Sequence, residues 1–201
     1  MARKQAADYE ERRDAIVQKA AELYAKRGFL GASISDLAKA CKTSKSLIYH
    51  YYPSKEDILF DVMHSHVAEL LSTAQAITAL SLSPEEKLRE MTRQFMKLYV
   101  GAAARHKVLL NELSHLPRER RATVVSIQHK LIEMVEGILA EMRTELGGRS
   151  ALRLPSAMLY FGMINWTHTW MDPSGPVKPA KIAELAANLF LDGILSGEIP
   201  R

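Results

Sequence analysis

The 201-residue chain contains a single cysteine, Cys41. It can form no intrachain disulfide and no cysteine-based zinc module. Long apolar runs are also missing: the longest, residues 157–166, falls far short of the ~20 residues a membrane-spanning helix needs. The N-terminal stretch is polar and charged and has no secretory apolar segment. No segment alternates with the period of two expected of a strand, and there is no internal repeat or low-complexity tract. The histidines do not converge. His64 and His66, at i and i+2, face different sides of a helix, and His106, His115, His129 and His168 are scattered. There is no Gly-x-Ser-x-Gly elbow and no supported Cys–His arrangement. Catalytic residues, a metal and a cofactor are therefore not expected, and the chain reads as a cytoplasmic protein with no membrane partner. A hydrophobic content of 47% is too high for a disordered chain.

The charge is unevenly distributed. Residues 1–55 hold 11 basic and 6 acidic side chains, while residues 56–201 hold 16 and 17. A basic N-terminal block on a nearly neutral body suits a segment that meets polyanions. Helical periodicity runs through almost the whole chain. Ile16, Ala20, Leu23 and Tyr24 mark an amphipathic helix over about 9–27, ended by Gly28. Ser33 with Asp36 at N3 is a capping box, Ser44 a second N-cap, and Ser54 to Asp57 a third start signal after Pro53. Ser83-Pro84-Glu85-Glu86 opens another helix, with proline at N1. Further helices are expected over 107–115, 118–146, 155–171 and 179–196, which makes nine in an all-α fold.

Residues 33–52 read as a helix-turn-helix. Leu37 and the small Ala38 and Ala40 pack the first helix, and Lys42-Thr43 forms the turn. Leu47 and Ile48 face inward from the second helix, leaving Lys45, Ser46, Tyr49 and His50 outward, where such side chains suit a DNA groove. If the turn requires positive φ at Lys42, a lysine there is strained by roughly 1 kcal/mol relative to glycine.

The wording of two stretches, Gly28-Phe29-Leu30-Gly31-Ala32-Ser33-Ile34-Ser35-Asp36-Leu37-Ala38 and Ser44-Lys45-Ser46-Leu47-Ile48-Tyr49-His50-Tyr51-Tyr52-Pro53-Ser54-Lys55-Glu56, resembles the TetR family of bacterial transcriptional repressors. The resemblance implies a three-helix DNA-binding head over 1–55, with residues 1–8 as a flexible arm, and an effector-binding and dimerisation domain over 56–201. It implies operator double-stranded DNA as partner, with Lys45, Ser46 and His50 reading bases and Tyr49, Tyr51 and Lys55 holding phosphates. Ser33, Ser35 and Ser44 complete the DNA-binding set.

The body carries a second resemblance, in Met163-Ile164-Asn165-Trp166-Thr167-His168-Thr169-Trp170-Met171, in Leu189-Phe190-Leu191-Asp192-Gly193, and in Asn111-Glu112-Leu113-Ser114-His115-Leu116-Pro117. These are similar to family members that sense acyl-CoA thioesters, such as phenylacetyl-CoA or fatty acyl-CoA, and control catabolic genes. That implies an apolar tunnel, for which the candidates are Phe95, Tyr99, Leu113, Met158, Phe161, Gly162, Asn165 and Trp166. It also implies a basic mouth for the CoA phosphates, for which they are Arg89, Arg93, Lys97, Arg118, Arg120 and Arg121. An aromatic and methionine stripe at helical spacing is core or dimer interface more often than a pocket, and Asn165 needs a partner from a ligand or from another chain. A homodimer through the last two helices, the eighth and ninth, is expected, with Leu185, Leu189, Ala186 and Gly193 on the packing face. An efflux-pump repressor sensing cationic drugs, with Glu112 as its carboxylate, is the alternative, and a helical interaction module that keeps only the head is another.

Overall fold

A computed structural model describes residues 2–148 and 150–196, with side chains from residue 9 onward. Every regular element among the described residues is helical. The helices are α1 (Ala2–Gly31), α2 (Ile34–Ala40), α3 (Lys45–Tyr51), α4 (Lys55–Thr78), α5 (Pro84–Gly101), α6 (Ala103–Asn111), α7 (Arg118–Met142), α8 (Arg153–Asn165), α9 (Thr167–Trp170) and α10 (Pro179–Ser196). The short α9 abuts α8 at Trp166, so the two together fill the stretch expected as one helix, and nine bodies result. The backbone of residues 2–8, expected as an arm, continues α1. The side chains of Arg3 and Lys4 lie outside the described residues.

The chain forms two compact units, Met1–Val67 with Ala104–Val125, and Ala68–Ala103 with Ser126–Arg201. Both α4 and α7 contribute to each. The first unit thus holds the expected head together with α6 and the start of α7.

In the first unit the local signals act as capping chemistry requires. Helical geometry in α1 breaks at Gly28, whose φ of 73° and ψ of 158° only glycine adopts without strain. Ser33 Oγ accepts from Asp36 N–H at 3.1 Å, and Asp36 Oδ2 accepts from Ser33 N–H at 3.0 Å. The core is built from Ile16, Ala20, Ala21 and Tyr24 of α1, Leu37 and Ala38 of α2, Ile48 of α3, and Ile58, Leu59, Val62 and Met63 of α4. At one end of this core Arg13 donates to Asp61 at 2.5 Å and to Tyr52 Oη at 3.1 Å, while Tyr52 donates to Asp61 at 2.7 Å. Deeper in the unit, His66 Nε2 meets His106 Nδ1 at 3.2 Å, with both rings buried.

The second unit packs α5 against α10 and α8. Met91, Phe95 and Met96 of α5, Tyr160, Phe161 and Ile164 of α8, and Ala183, Ala187 and Leu191 of α10 are buried. The Tyr160 hydroxyl lies 3.0 Å from Thr92 Oγ1, which itself donates to Leu88 O, so the tyrosine proton completes the chain. The helix expected to run to residue 146 ends at Met142. Arg143 turns extended, and its guanidinium donates to Ile194 O at 2.8 Å and Leu195 O at 3.2 Å, capping the end of α10. A cation at a helix C-terminus is favoured by both the open carbonyls and the helix dipole.

Burial, with a smaller contribution from the Arg105 charge, lowers the His66 pKa from 6.5 to about 4. The unfolded chain takes up this proton near the ordinary value and the fold only near the lowered one, so the unfolded state binds more protons in between. Stability is therefore expected to fall as pH drops through this window, by about 3 kcal/mol in all. Urea unfolding at a series of pH values checks this, and His66→Asn should flatten the dependence.

Candidate nucleic-acid interface

The geometry of α2 and α3 follows from the turn between them. Cys41 caps α2 in right-handed conformation, Lys42 follows at φ 52°, and Thr43 N–H returns to Ala38 O at 2.9 Å. Lysine thus occupies the left-handed position that glycine would take freely, as the sequence suggested. Ser44 Oγ then accepts from Leu47 N–H at 3.1 Å and starts α3. Ile48 is fully buried and Leu47 half-buried, so α3 presents Lys45, Ser46, Tyr49 and His50 to solvent together. No acidic residue stands in its first turn. Four polar side chains capable of donating, on the outward side of one anchored helix, are what a phosphate-lined groove can accept.

The remaining expected DNA contacts differ in their freedom. Ser33 and Ser44 are exposed, but their hydroxyls serve as N-caps, and Ser35 is half-buried. The Tyr51 ring lies against Tyr9, tilted by 33°, with centroids 4.7 Å apart. The Lys55 ammonium donates to Phe29 O and sits 4.0 Å from the centre of the Phe29 ring. Burial lowers its pKa. A phosphate would therefore have to share Lys55 with the Phe29 carbonyl. Ala40, expected to pack between helices, is exposed.

Sequence reading missed what stands behind this surface. Phe29 stacks on His115 at 5.5 Å, His115 Nε2 pairs with Glu112 at 3.3 Å, and Glu112 Oε1 lies 3.5 Å from where a Cβ on Gly28 would stand. Arg120 is paired with Asp57 at the start of α4 and lies 5.0 Å over Phe60. Apart from His115 with Glu112, three residues apart, these contacts join residues far apart in the chain, and no local pattern announces them. They also bear on two expectations: Glu112 already has a histidine partner, and Arg120 could hold a phosphate only by leaving Asp57.

Of the expected effector residues, the second unit brings together Phe95, Tyr99 and Phe161, with Phe95 at 6.2 Å from Tyr99 and 6.3 Å from Phe161. Burial holds the Tyr99 hydroxyl well above its ordinary pKa. Met158, Gly162 and Trp166 are exposed, on a different face of α8 from Tyr160, Phe161 and Ile164. Asn165 is half-buried, and its Oδ1 is buried with no hydrogen-bond partner. Leu113 belongs to the first unit. Arg89, Arg93 and Lys97 form an exposed stripe at i, i+4 and i+8 of α5, on a different face from Phe95 and Tyr99. Arg89 donates to Asn188, and Arg93 to Glu90 at 2.6 Å. Arg118 and Arg121 are exposed on the first turn of α7. Among the described residues, no group of three or more His, Cys, Asp or Glu could hold a metal ion, and no helix is long and apolar enough to cross a membrane.

A helix-turn-helix with an anchored second helix, on an all-helical body, defines a DNA-binding regulator. Residues 16–62 match the family of bacterial regulatory proteins, tetR family, and residues 81–194 match the tetracyclin repressor-like C-terminal domain. The chain belongs to the TetR family of transcriptional regulators, whose members bind DNA and are not enzymes. A TetR-family regulator from Bordetella parapertussis 12822 is 37% identical, with a TM-score of 0.87 over 94% of this chain and 98% of that one. AibR, solved in complex with isovaleryl coenzyme A and operator DNA, is 26% identical, with a TM-score of 0.79 over 89% and 97%. The HTH-type transcriptional repressor KstR2 of Rhodococcus jostii (strain RHA1) is 23% identical over 187 residues, 92% of each chain.

The Lys42 backbone gives a direct test of the turn. Lys42→Gly should raise unfolding stability by up to about 1 kcal/mol, because glycine takes a left-handed φ without the Cβ clash. Urea unfolding at neutral pH reads this. A loss of stability would contradict the left-handed geometry.

Proposed function

We propose that this protein is a dimeric repressor that binds a near-palindromic operator and is released from it by an acyl-CoA thioester, so controlling a catabolic operon. The observation that carries the DNA-binding half is α3: a short, capped helix whose only outward groups are Lys45, Ser46, Tyr49 and His50. Lys45, Ser46 and His50 read base edges, and Tyr49 holds a phosphate that fixes the register, while Tyr51 lies against Tyr9 on another side of the helix.

The thioester half is supported by the likeness to AibR over most of the chain. Within the second unit, the acyl group would lodge against Phe95, Tyr99 and Phe161, which form one aromatic cluster. Arg89, Arg93 and Lys97 supply the cations nearest in sequence for the CoA phosphates. For Arg89 this requires leaving Asn188. Glu112 is engaged by His115, which leaves a cationic-drug sensor without its expected carboxylate.

Dimerisation is supported by the outward stripe of Leu154, Met158, Leu159, Trp166 and Trp170 on α8 and α9, and by Leu185 and Leu189 on α10. All are about half or more exposed. A stripe of large apolar residues on one side of a helix pair is more than a monomer ordinarily leaves in water. Ala186 faces the unit's own core instead, so of the expected packing set Leu185, Leu189 and Gly193 remain outward. The buried, unpartnered Asn165 Oδ1 beside Trp166 suits a donor from a second copy.

The experiment is fluorescence anisotropy of the full-length protein on the DNA upstream of its own gene at fixed salt, because phosphate-driven affinity falls steeply with salt. Lys45→Ala should weaken binding by about 1–3 kcal/mol and relax preference at one or two base pairs. Tyr49→Phe should weaken it evenly across sequences. Isovaleryl-CoA, phenylacetyl-CoA and longer acyl-CoAs are then titrated into the complex. Release by a thioester but not by free CoA or the free acid is expected. Tight, specific binding that no thioester disturbs would keep the repressor and overturn the effector.

A further inference from the structure

A cleft of about 520 Å³ opens in the first unit, between α1 and the turn that leads into α3. It stands apart from the outward side of the recognition helix: Lys45, Ser46, Tyr49 and His50 do not line it. It is also a different place from the aromatic cluster of the second unit. Its volume lies within the range of about 300–1,000 Å³ typical of small-molecule sites.

The chemistry of its walls is divided. Ile16, Leu47 and Tyr51 supply an apolar floor, and Arg12, Lys19 and Lys42 supply cations. No carboxylate lines the cleft. Glu22, which pairs with Lys19 at 2.8 Å, lies outside its walls. Lys19 is thus already paired and Arg12 is engaged elsewhere in the protein, so the cation that selects for negative charge is Lys42, and the floor selects for an apolar tail.

The turn between α2 and α3 fixes where the Lys42 ammonium stands. Lys42 holds φ at 52°, the position where glycine is free of strain. Here the strained residue places an ammonium-bearing side chain on the wall of the cleft, which a glycine could not do.

We propose that this cleft is a second ligand site, within the DNA-binding unit itself, for an aliphatic carboxylate. The anion lies on Lys42, and the chain lies on Ile16, Leu47 and Tyr51. Leu47 and Tyr51 sit at i and i+4 on α3, on the side away from its outward polar groups. An occupant therefore wedges between α1 and the back of the recognition helix and bears on its tilt. This is a separate input from the thioester site and does not depend on it.

The single cysteine makes the test direct, because Cys41 lines the same cleft. The rate of its alkylation by iodoacetamide is followed in the full-length protein while sodium dodecanoate is titrated below its micelle concentration. Saturable protection is expected with dodecanoate, and none at matched concentrations of uncharged dodecanol. Lys42→Gly, which keeps the fold and removes the charge, should raise the half-protecting concentration about tenfold, the loss of one charge-assisted contact. Lys42→Glu should abolish protection. Absence of saturable protection would overturn the proposal, and so would equal protection by dodecanol. Protection that survives Lys42→Glu would place dodecanoate elsewhere on the protein and overturn it equally. Failure of thioesters to release DNA would leave this outcome unaffected, since the two are read on different signals.

Discussion

A helix of seven residues has too few internal hydrogen bonds to hold itself helical in water, so the recognition helix must be held by what surrounds it. Three constraints do this. Ser44 satisfies an open amide at its start, Ile48 anchors its middle in the core, and Tyr52 fastens its end. The last is the most consequential, because the Tyr52 hydroxyl is shared with Asp61 of α4 and Arg13 of α1. Burial and the Asp61 carboxylate raise the Tyr52 pKa, so the group stays a neutral donor. The direction in which Lys45 and His50 point is thus fixed by atoms on two other helices.

The same first unit includes α6, the opening of α7 and the segment between them, and contacts from that segment and from α7 fall on the two places where the head changes direction. His115 and Glu112 meet the chain at Phe29 and Gly28, where α1 gives way to α2, and Arg120 meets Asp57 at the start of α4. Arg120, which the sequence groups with Arg118 and Arg121, is in space part of the frame behind the DNA-binding surface. In the second unit, α8 is apolar on two sides. One side makes the aromatic core with α5, and the other carries Leu154, Met158 and Leu159 in solvent.

Local features were legible in the sequence. The caps at Ser33, Ser44 and Ser83, the break at Gly28 and the unusual backbone of Lys42 all follow from rules that act over a few residues. The outward set on α3 was readable because a short amphipathic helix leaves little choice of face. Pairings such as Arg13 with Asp61, 48 residues apart, or His66 with His106, 40 apart, have no periodic signature. The effector residues were harder for another reason. Periodicity says which positions of α8 share a face, but not which of two apolar faces turns inward, so Phe161 was grouped with Met158 and Trp166. The early end of α7 was hidden because Arg143 leaves helical geometry to serve carbonyls of a helix 51 residues away.

Gly28 carries a consequence at the level of the gene. Its neighbour Glu112 would allow a Cβ at van der Waals distance, so space is not what excludes other residues there. The exclusion is in the backbone, whose φ of 73° only glycine holds cheaply. Every single-base missense change of a glycine codon introduces a Cβ, so each one strains the bend between α1 and α2 by the same route. Spontaneous alleles that free the regulated genes would then arise at codon 28 as well as at codons for the DNA-reading side chains, without altering any group that touches a base.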